Sequence, residues 1–454
     1  MSLSLSKTKL ERLGTRRIYT HLLGVLILAY FFNQLNRTNL GLAAPTFSVD
    51  VGISVAAYGL GAGLFFLTYA SFEVPSNLLL RRFGARAWLF RIMISWSILS
   101  MAMAFVWDDW SFYIVRLLFG AAEAGFYPGC LYLITQWFPQ ADRPKAIGTL
   151  IAGGLMSAIF GSPLGGFILQ LNSWSGLHGW QWLFLLEGGA SLVVAFFLLA
   201  KLRNRPTDAR WLDPSFARKL EAQISRENAA TAAHVGHSNF VSILRDPQLL
   251  LLIGVYFAQQ VVTYAVTYFM PSAITKMGVD SSVILGLLVA LPYVFCACGV
   301  IVIPRLAARH NSLPGWLMVC VVGLIAGTAV AALAPGWFGY IGFCLIGLFM
   351  TAPGPILFSH AGYRMDGANL AAGLALISSV GILGGFFGPS ILGFAIQSTG
   401  SGTAGWIVVA GILVAGLVAA FFVYLLNRRD PISRARENAY ASFQGGGLGD
   451  RADR

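Results

Sequence analysis

The sequence predicts an all-α membrane protein with twelve membrane-spanning helices in two halves of six. Three observations predict this fold class. The composition is 57% hydrophobic and only 11% charged, apolar stretches of spanning length recur along the chain, and the basic residues concentrate on one side of those stretches. Water-soluble domains carry roughly a quarter charged residues. The composition therefore indicates that lipid is the main solvent of this chain.

Apolar runs between polar breaks define the spans, numbered 1 to 12 in chain order. A helix needs about 20 mostly apolar residues to cross a bilayer. Such runs occupy residues 18–45, 55–80, 87–106, 110–135, 145–172 and 182–202, then 247–274, 283–303, 314–335, 338–360, 369–397 and 404–427. The charged segment between the two sets cannot lie in hydrocarbon. The predicted organisation is an N-terminal tail 1–17, a bundle 18–202, a linker 203–246, a second bundle 247–427 and a C-terminal tail 428–454.

The distribution of basic residues predicts the orientation of the spans. Of the 31 Lys and Arg, 28 fall in segments on the side of the N-terminus and one, Lys276, falls on the opposite side. The remaining two, Arg37 and Arg116, lie inside apolar spans. The positive-inside rule then predicts cytoplasmic termini (N-in/C-in) for a multi-pass protein of the cell inner membrane. The net charge of +12 reflects this orientation, so no nucleic-acid partner is expected.

Residues typical of enzymes and metalloproteins do not form recognisable sets in this sequence. The five cysteines lie in apolar runs without disulfide or metal-ligand spacing. Neither a nucleophile–base set nor a phosphate-binding glycine loop is visible. We therefore expect no metal, no cofactor and no enzymatic activity. The first apolar run lacks a small-residue cleavage pattern, which predicts an uncleaved first helix.

The two predicted halves share a sequence motif. Residues Phe160–Gln170 in span 5 match residues Phe387–Gln397 in span 11 at an offset of 227, half the chain. Parallel six-helix repeats that rock around a midplane site are a transporter architecture. Chance similarity between two Gly- and Pro-rich helices is the alternative explanation of the match.

Ionisable residues inside predicted spans are the first candidates for function, because each costs a few kcal/mol or more in the membrane. Arg37 in span 1 can present its guanidinium to a carboxylate substrate, or it can be a structural partner of Glu123. Arg116 and Glu123 stand seven residues apart on one face of span 4. A desolvated Glu123 can load a proton, and a neighbouring arginine opposes this. The pair is therefore either a proton relay or a static ion pair.

The other two acids inside spans have more structural interpretations. Glu73, about two turns before Arg81 and Arg82, predicts a structural or gating ion pair at the cytoplasmic end of span 2. Glu187 lies in span 6, where we expect it to make a helix-packing contact. Polar and aromatic residues complete the predicted cavity lining, of which we select Gln34, Tyr264 and Tyr268 as substrate contacts; Tyr30, Asn33, Tyr69, Gln259, Gln260 and His360 are further candidates.

Several motifs resemble the anion:cation symporter family of the major facilitator superfamily. They are Asn36-Arg37-x-Asn39, Phe72-Glu73-Val74-Pro75-Ser76-Asn77, Gly84-Ala85-Arg86, Arg116-x6-Glu123-Ala124-Gly125 and Gly384-Gly385-Phe386-x-Gly388-Pro389. The chain is most similar to the branch with tartrate, phthalate and hydroxyphenylacetate permeases. The resemblance implies a major facilitator fold and proton-driven carboxylate uptake. It also implies that Arg37 and Tyr69 contact the substrate and that Glu123 and Arg116 relay protons.

Within this resemblance, Glu73, Arg82 and Arg86 are candidate gating residues at the cytoplasmic end of spans 2 and 3. The chain departs from the family at two positions. Asn36 stands where the family usually has an aspartate, so coupling stoichiometry changes, exchange replaces symport, or the residue was introduced to trap one state. Ser378 stands in a region of span 11 where the family has a polar asparagine, and we retain it as a substrate contact.

The sequence thus predicts a monomeric secondary transporter that takes up a small organic carboxylate anion with protons. The substrate is expected to be an aromatic acid such as phthalate or a hydroxy-dicarboxylate such as tartrate. A proton-independent anion exchanger or facilitator is the principal alternative, and a non-transporting membrane sensor is another. The expected partners are the anion, protons and the lipid bilayer.

Overall fold

The computed structural model describes residues 9–234, 245–310, 312–334, 336–365 and 367–429. Most of the predicted C-terminal tail, residues 1–8 and part of the linker lie outside the described residues. Within the described part, twelve helical segments are long and apolar enough to cross a membrane, which confirms the predicted number of spans. Their bounds are Leu13–Val51, Val55–Phe83, Ala85–Phe105, Asp109–Trp137, Arg143–Leu171, Gly179–Lys201, Pro247–Thr275, Ser282–Arg309, Leu313–Leu333, Trp337–Gly362, Ala372–Thr399 and Gly402–Arg428.

Several spans consist of more than one helix. Span 1 contains a π-helical turn, Tyr19–Leu23, between helices Lys9–Ile18 and Gly24–Val51. Spans 4, 10 and 11 are broken near their middles, into Asp109–Glu123 and Phe126–Trp137, Trp337–Met350 and Pro353–Arg364, and Gly367–Gly381 and Gly384–Thr399. The linker contains a further helix, Pro214–His234. Residues Pro206–Asp208, also in the linker, form a short 3-10 turn.

The break in span 4 follows directly from its glycine. Gly125 adopts a φ of +86°, which a residue with a side chain rarely takes. Span 2 packs against this point, and a Cβ on Gly125 would overlap the Ser76 side chain. The Ser76 hydroxyl accepts a hydrogen bond from the Trp88 indole at 3.0 Å. The Phe72–Asn77 motif of span 2 therefore packs, through Ser76, against Gly125, just after the helix that carries Glu123.

The repeated motif forms the contact between the two halves. Span 2 packs on span 11, where a Cβ on Gly59 would overlap the Pro389 carbonyl oxygen. Span 8 packs on span 5, where a Cβ on Gly286 would overlap the Ser162 carbonyl oxygen. Gly59 and Gly286 are related by the same 227-residue offset as the motif. Two equivalent glycine contacts therefore join the halves.

A third contact between the halves joins spans 1 and 7. Gly41 lies against the Thr267 carbonyl oxygen. The Tyr58 hydroxyl lies 3.2 Å from the Leu40 carbonyl oxygen and 3.1 Å from that of Tyr268, and can donate to either. These contacts lie toward the end of the bundle away from the termini, which we call the closed end.

We expect Gly286→Val to prevent the closed end from closing, because its side chain meets backbone that has little freedom to yield. Overpacking typically costs about 1–3 kcal/mol, which corresponds to roughly tenfold or more in the closed-to-open ratio. The fraction of protein labelled by a thiol reagent at Ser162→Cys, in a background without other cysteines, should rise as the closed-to-open ratio falls. Gly411→Val is the matched control, because a Cβ at Gly411 meets nothing within 4 Å. Equal labelling in both variants would contradict the assignment.

Candidate substrate and ion-pair site

Arg37 lies in the middle of span 1 and is bound from two directions. Its Nε donates to Glu123 Oε1 at 3.0 Å, and its Nη2 contacts the same oxygen. Its Nη1 lies 3.5 Å from the Tyr264 hydroxyl on span 7, in the other half. Arg37 is 8% exposed and Glu123 is fully buried. The guanidinium is therefore a buried cation placed between the two halves.

The internal repeat explains why Arg37 and Tyr264 meet. They stand 227 residues apart, so they occupy equivalent positions in the two halves. Equivalent residues can touch only near the axis that relates the halves, so this contact marks the centre of the bundle. Glu123 has Met350 as its equivalent at the same offset. The ion pair of the N-terminal half therefore has no charged counterpart at the corresponding positions of the C-terminal half.

Aromatic rings from span 2 surround the Arg37 guanidinium. Its central carbon lies 4.9 Å from the Tyr69 ring centroid and 5.1 Å from that of Phe65. Arginine over an aromatic face gains cation–π energy that grows as water is excluded. Tyr69 was predicted from the sequence as a substrate contact, whereas Phe65 and Phe66 were not. The i, i+4 spacing of Phe65 and Tyr69 is a signal that identifies a shared face.

The Glu123 carboxyl has one occupied and one available oxygen. Oε1 accepts both contacts from Arg37, whereas Oε2 is buried without a hydrogen-bond partner among the described residues. An unsatisfied buried oxygen is costly, and a proton or a polar ligand atom can satisfy it. The carboxyl can therefore bind a proton without first losing a second partner.

Arg116 makes different contacts from those that the sequence suggested. Two turns of helix separate it from Glu123, about 10 Å of rise, and it bonds to span 2 instead. Its Nε donates to the Gly61 carbonyl at 3.2 Å, and its Nη2 donates to the Ala62 carbonyl at 3.1 Å. Nη2 also lies 3.4 Å from the Tyr268 hydroxyl. Arg116 is thus a second buried cation. It links span 4 to span 2 in its own half and to span 7 in the other half. Its part in proton relay stays a prediction.

Asn36 faces away from the Arg37 site, into the N-terminal bundle. Its amide nitrogen donates to Ser191 Oγ at 2.5 Å and to the Phe32 carbonyl at 2.9 Å. Its amide oxygen accepts from Ser100 Oγ at 2.8 Å. The carboxamide therefore ties span 1 to spans 3 and 6. Its predicted role in proton coupling remains a prediction.

The remaining predicted substrate contacts lie at different distances from Arg37. The Tyr264 ring lies against the Phe66 ring, with centroids 4.0 Å apart and planes tilted by 49°, and Tyr268 is fully buried in the contact between the halves. Gln34 is half-buried and faces Gly154 of span 5. Ser378 is half-buried on span 11 before its break, and its hydroxyl makes no hydrogen bond with Arg37, Glu123 or Tyr264 within the described ranges. Tyr264 is thus the member of this set that touches Arg37 directly.

Comparison with known proteins identifies this architecture. The sequence profile of the Major Facilitator Superfamily matches residues 26–368. The chain belongs to the major facilitator superfamily. Among its relatives, a putative tartrate transporter of Agrobacterium vitis is 37% identical over 93% of each chain. A quinolone resistance transporter of Acinetobacter baumannii is 36% identical over 90% of this chain and 94% of its own. The putative metabolite transport protein NicT of Pseudomonas putida is 34% identical over 91% of this chain and 97% of its own.

Solved structures agree with this major facilitator assignment at the level of the fold. A bacterial homologue of the human lysosomal transporter Spinster superposes with a TM-score of 0.68 at 19% identity, covering 94% of this chain and 98% of that one. A D-xylose–proton symporter superposes with a TM-score of 0.66 at 14% identity, over 89% and 97% of the chains. The family match and the transporter relatives show that the protein is a multi-pass membrane transporter and not an enzyme. Its relatives are consistent with an anion:cation symporter-like branch of the superfamily.

The candidate gating residues of this major facilitator protein lie at the end opposite the closed end. Glu73 is half-buried and forms no ion pair with Arg81 or Arg82 in the part of the chain that is described; it interacts electrostatically with Arg37. Arg82 lies over the Phe83 ring at 5.7 Å. Arg86 donates to the Leu199 carbonyl of span 6 at 2.9 Å. The expected ion pair is thus absent in this conformation, and a gating role stays a prediction.

Asn36→Asp is expected to destabilise this transporter by about 1–3 kcal/mol at neutral pH, because a carboxylate cannot donate to the Phe32 carbonyl or to Ser191. Protonation restores one donor, so the loss of thermal stability should be smaller at pH 5 than at pH 8. If Asn36 belongs to the proton relay, the variant also changes the pH profile of transport. Wild-type-like stability at both pH values would contradict the hydrogen-bonding role.

Proposed function

We propose that this transporter takes up a small organic carboxylate together with protons by alternating access. The contact that carries the proposal is the buried guanidinium of Arg37, held between Glu123 of its own half and Tyr264 of the other. Arginine recognises carboxylates through paired charge-assisted hydrogen bonds. The relatives named for tartrate and other metabolites favour an organic acid, and the aromatic neighbours of Arg37 suit phthalate as well as tartrate.

Proton and anion transport are coupled because Glu123 and the substrate carboxylate compete for the Arg37 guanidinium. While Glu123 is ionised, it occupies Nε and Nη2 of Arg37. When Glu123 accepts a proton at Oε2, its attraction to the guanidinium weakens, and Arg37 can pair with the carboxylate of the substrate. Release of the substrate returns Arg37 to Glu123 and favours loss of the proton. Proton and anion therefore bind and leave together.

The proposed orientation places both termini in the cytoplasm and the protein in the cell inner membrane, in agreement with the distribution of basic residues. Because the contacts between the halves concentrate at the end away from the termini, this conformation corresponds to one that opens toward the cytoplasm. We propose a monomer as the working unit, since both halves of the site belong to one chain.

A proton-independent exchanger is the second candidate, and Asn36 is the observation that favours it. Its carboxamide does not titrate, so it supplies no second proton site beside span 1. Among the described residues, Glu123 is the one carboxyl in direct contact with Arg37. An exchanger moves an anion only against another anion, whereas a symporter accumulates it from an empty interior.

Uptake into liposomes tests the proposal directly. Purified protein is reconstituted, and uptake of radiolabelled tartrate or phthalate is measured with an inward proton gradient and with the gradient collapsed. Symport predicts accumulation only with the gradient. Exchange predicts uptake only into liposomes preloaded with anion, whatever the gradient. Identical uptake with and without the gradient would refute proton coupling.

A further inference from the structure

A second buried carboxyl lies in the N-terminal half, outside the Arg37 site. Glu187 on span 6 is 3% exposed, and its Oε2 has no hydrogen-bond partner within the described residues. The Asn39 carboxamide of span 1 lies beside it. Both polar atoms of that carboxamide are also buried without a well-formed hydrogen bond in the described structure. The carboxyl therefore has the Asn39 carboxamide as a neutral neighbour, without a well-formed hydrogen bond on Oε2 in the described structure.

The groups around Glu187 are uncharged. Span 5 approaches with Gly165, where a Cβ would lie 3.6 Å from Oε1, and span 3 packs Met101 against Gly188. Ser191 donates to the Glu187 backbone carbonyl at 2.9 Å and does not reach the carboxyl. Two of the other titratable groups of spans 1, 3, 5 and 6 are paired, Arg37 with Glu123 and Asp50 with His178. The rest lie nearer the end that bears the termini: Arg16, Arg17, Tyr19, His21, Tyr30, Arg86, Arg91, Arg143, Lys145 and Lys201.

A single proton satisfies this arrangement. An ionised carboxyl buried without a cation costs several kcal/mol, and the Asn39 carboxamide beside Glu187 is uncharged. A proton on the carboxyl removes that buried charge. We infer that Glu187 carries a proton in this conformation and is a second proton-exchange site of the transporter. Its use in transport rests on the proposed function, whereas its protonation does not.

The closed end provides a route by which this proton exchanges. Gly165 faces Glu187, and the next residue, Gly166, packs against the Ser282 carbonyl of span 8 in the contact between the halves. When spans 5 and 8 separate, that face of span 5 meets water. Gly165 and the Leu42 and Leu183 side chains that touch it then lie between water and the carboxyl, so the same movement that admits substrate brings water close to the proton.

The charge balance links Glu187 to anion binding. With Glu187 neutral, the buried groups Arg37, Arg116 and Glu123 leave the core of the N-terminal half with a net charge of one positive unit. Interactions between charges are strong where water is excluded. A protonated Glu187 therefore favours an anion at Arg37, and loss of its proton favours release.

Glu187→Gln tests the protonation without any transport assay. Glutamine mimics the neutral carboxyl, whereas the wild-type carboxyl keeps its proton when folded and loses it when unfolded. The stability of the wild type relative to Glu187→Gln should therefore fall as pH rises from 5 to 8. The infrared band of a protonated carboxyl, present in the folded wild type, should weaken in the variant. Glu221→Gln in the linker is the matched control and should change neither measurement.

Two outcomes separate this inference from the proposed function. In liposomes, Glu187→Gln should lower the proton-to-substrate ratio by one, which is about tenfold less accumulation per pH unit, while substrate exchange persists. A pH-independent stability difference together with an unchanged infrared band overturns the protonation. An unchanged proton-to-substrate ratio overturns the role in exchange. Failure of the wild type to couple uptake to protons refutes the proposed function alone, because the stability and infrared results stand independently. If the glutamine variant does not fold, the infrared band is followed in wild type and Glu187→Asp.

Discussion

Replacing Arg37 by glutamine is expected to weaken binding of the carboxylate substrate by about 30-fold or more. Truncating one partner of a buried charge pair costs about 2–5 kcal/mol, and each 1.4 kcal/mol is a factor of ten in affinity. The same loss should appear as the disappearance of stabilisation by tartrate or phthalate in a thermal-shift titration, because ligand that binds the folded state raises its stability.

Two further variants make this result specific to the guanidinium. Arg37→Lys keeps the charge but loses the paired donors, so it should recover only part of the affinity. Arg91→Gln is the matched control, since Arg91 is exposed on span 3 over the Trp88 ring at 4.8 Å. If Arg37→Gln binds the acid as tightly as Arg91→Gln does, the anion site lies elsewhere.

Glu123→Gln is expected to lower the proton-to-substrate ratio by one while leaving exchange intact. Glutamine resembles the protonated carboxyl, so Arg37 is permanently available to the anion and substrate affinity should depend less on pH than in the wild type. Accumulation of the anion should fall about tenfold per pH unit of gradient. Counterflow of labelled against unlabelled anion should stay near the wild-type rate.

Wild-type affinity for the anion should rise as pH falls, because protonation of Glu123 releases the guanidinium. The Glu123→Gln profile should be less steep across the same range. Equilibrium binding measured from pH 5 to pH 8 in both proteins makes the comparison. An unchanged proton-to-substrate ratio in the glutamine variant would remove Glu123 from the coupling mechanism.

The spans were predictable because hydrocarbon leaves the chain little choice. Apolar length and the position of basic residues locate most spans to within about three residues, and the predicted 247–274 becomes Pro247–Thr275. Spans 1 and 8 extend further than predicted, from 45 to Val51 and from 303 to Arg309. The breaks in spans 10 and 11 were harder to predict. The Met350 carbonyl freed by the break in span 10 accepts a hydrogen bond from Gln259 at 2.7 Å, a tertiary contact that no local pattern announces.

The buried charged residues were predictable as a set, and the Arg37–Glu123 pair was one of two interpretations that the sequence left open, whereas the contacts of Arg116 were not predictable. Ionisable groups within apolar runs identified Arg37, Arg116 and Glu123, because such groups are too costly to occur in lipid without a partner. Which of them pair depends on how spans 1, 2 and 4 pack. Periodicity places Arg116 and Glu123 on one face of a helix, yet Arg116 bonds to the backbone of span 2. The direction of Asn36, toward spans 3 and 6, likewise requires the assembled bundle.

Met350 occupies the position equivalent to Glu123, so the second bundle contributes no charged group there. In the proposed mechanism, the side chains that exchange protons therefore lie in spans 1 to 6, and the membrane voltage acts on those spans. The second bundle would supply a neutral surface for the substrate, such as the Tyr264 hydroxyl. Mutations in that surface are then expected to change substrate preference while the proton-exchanging residues stay the same.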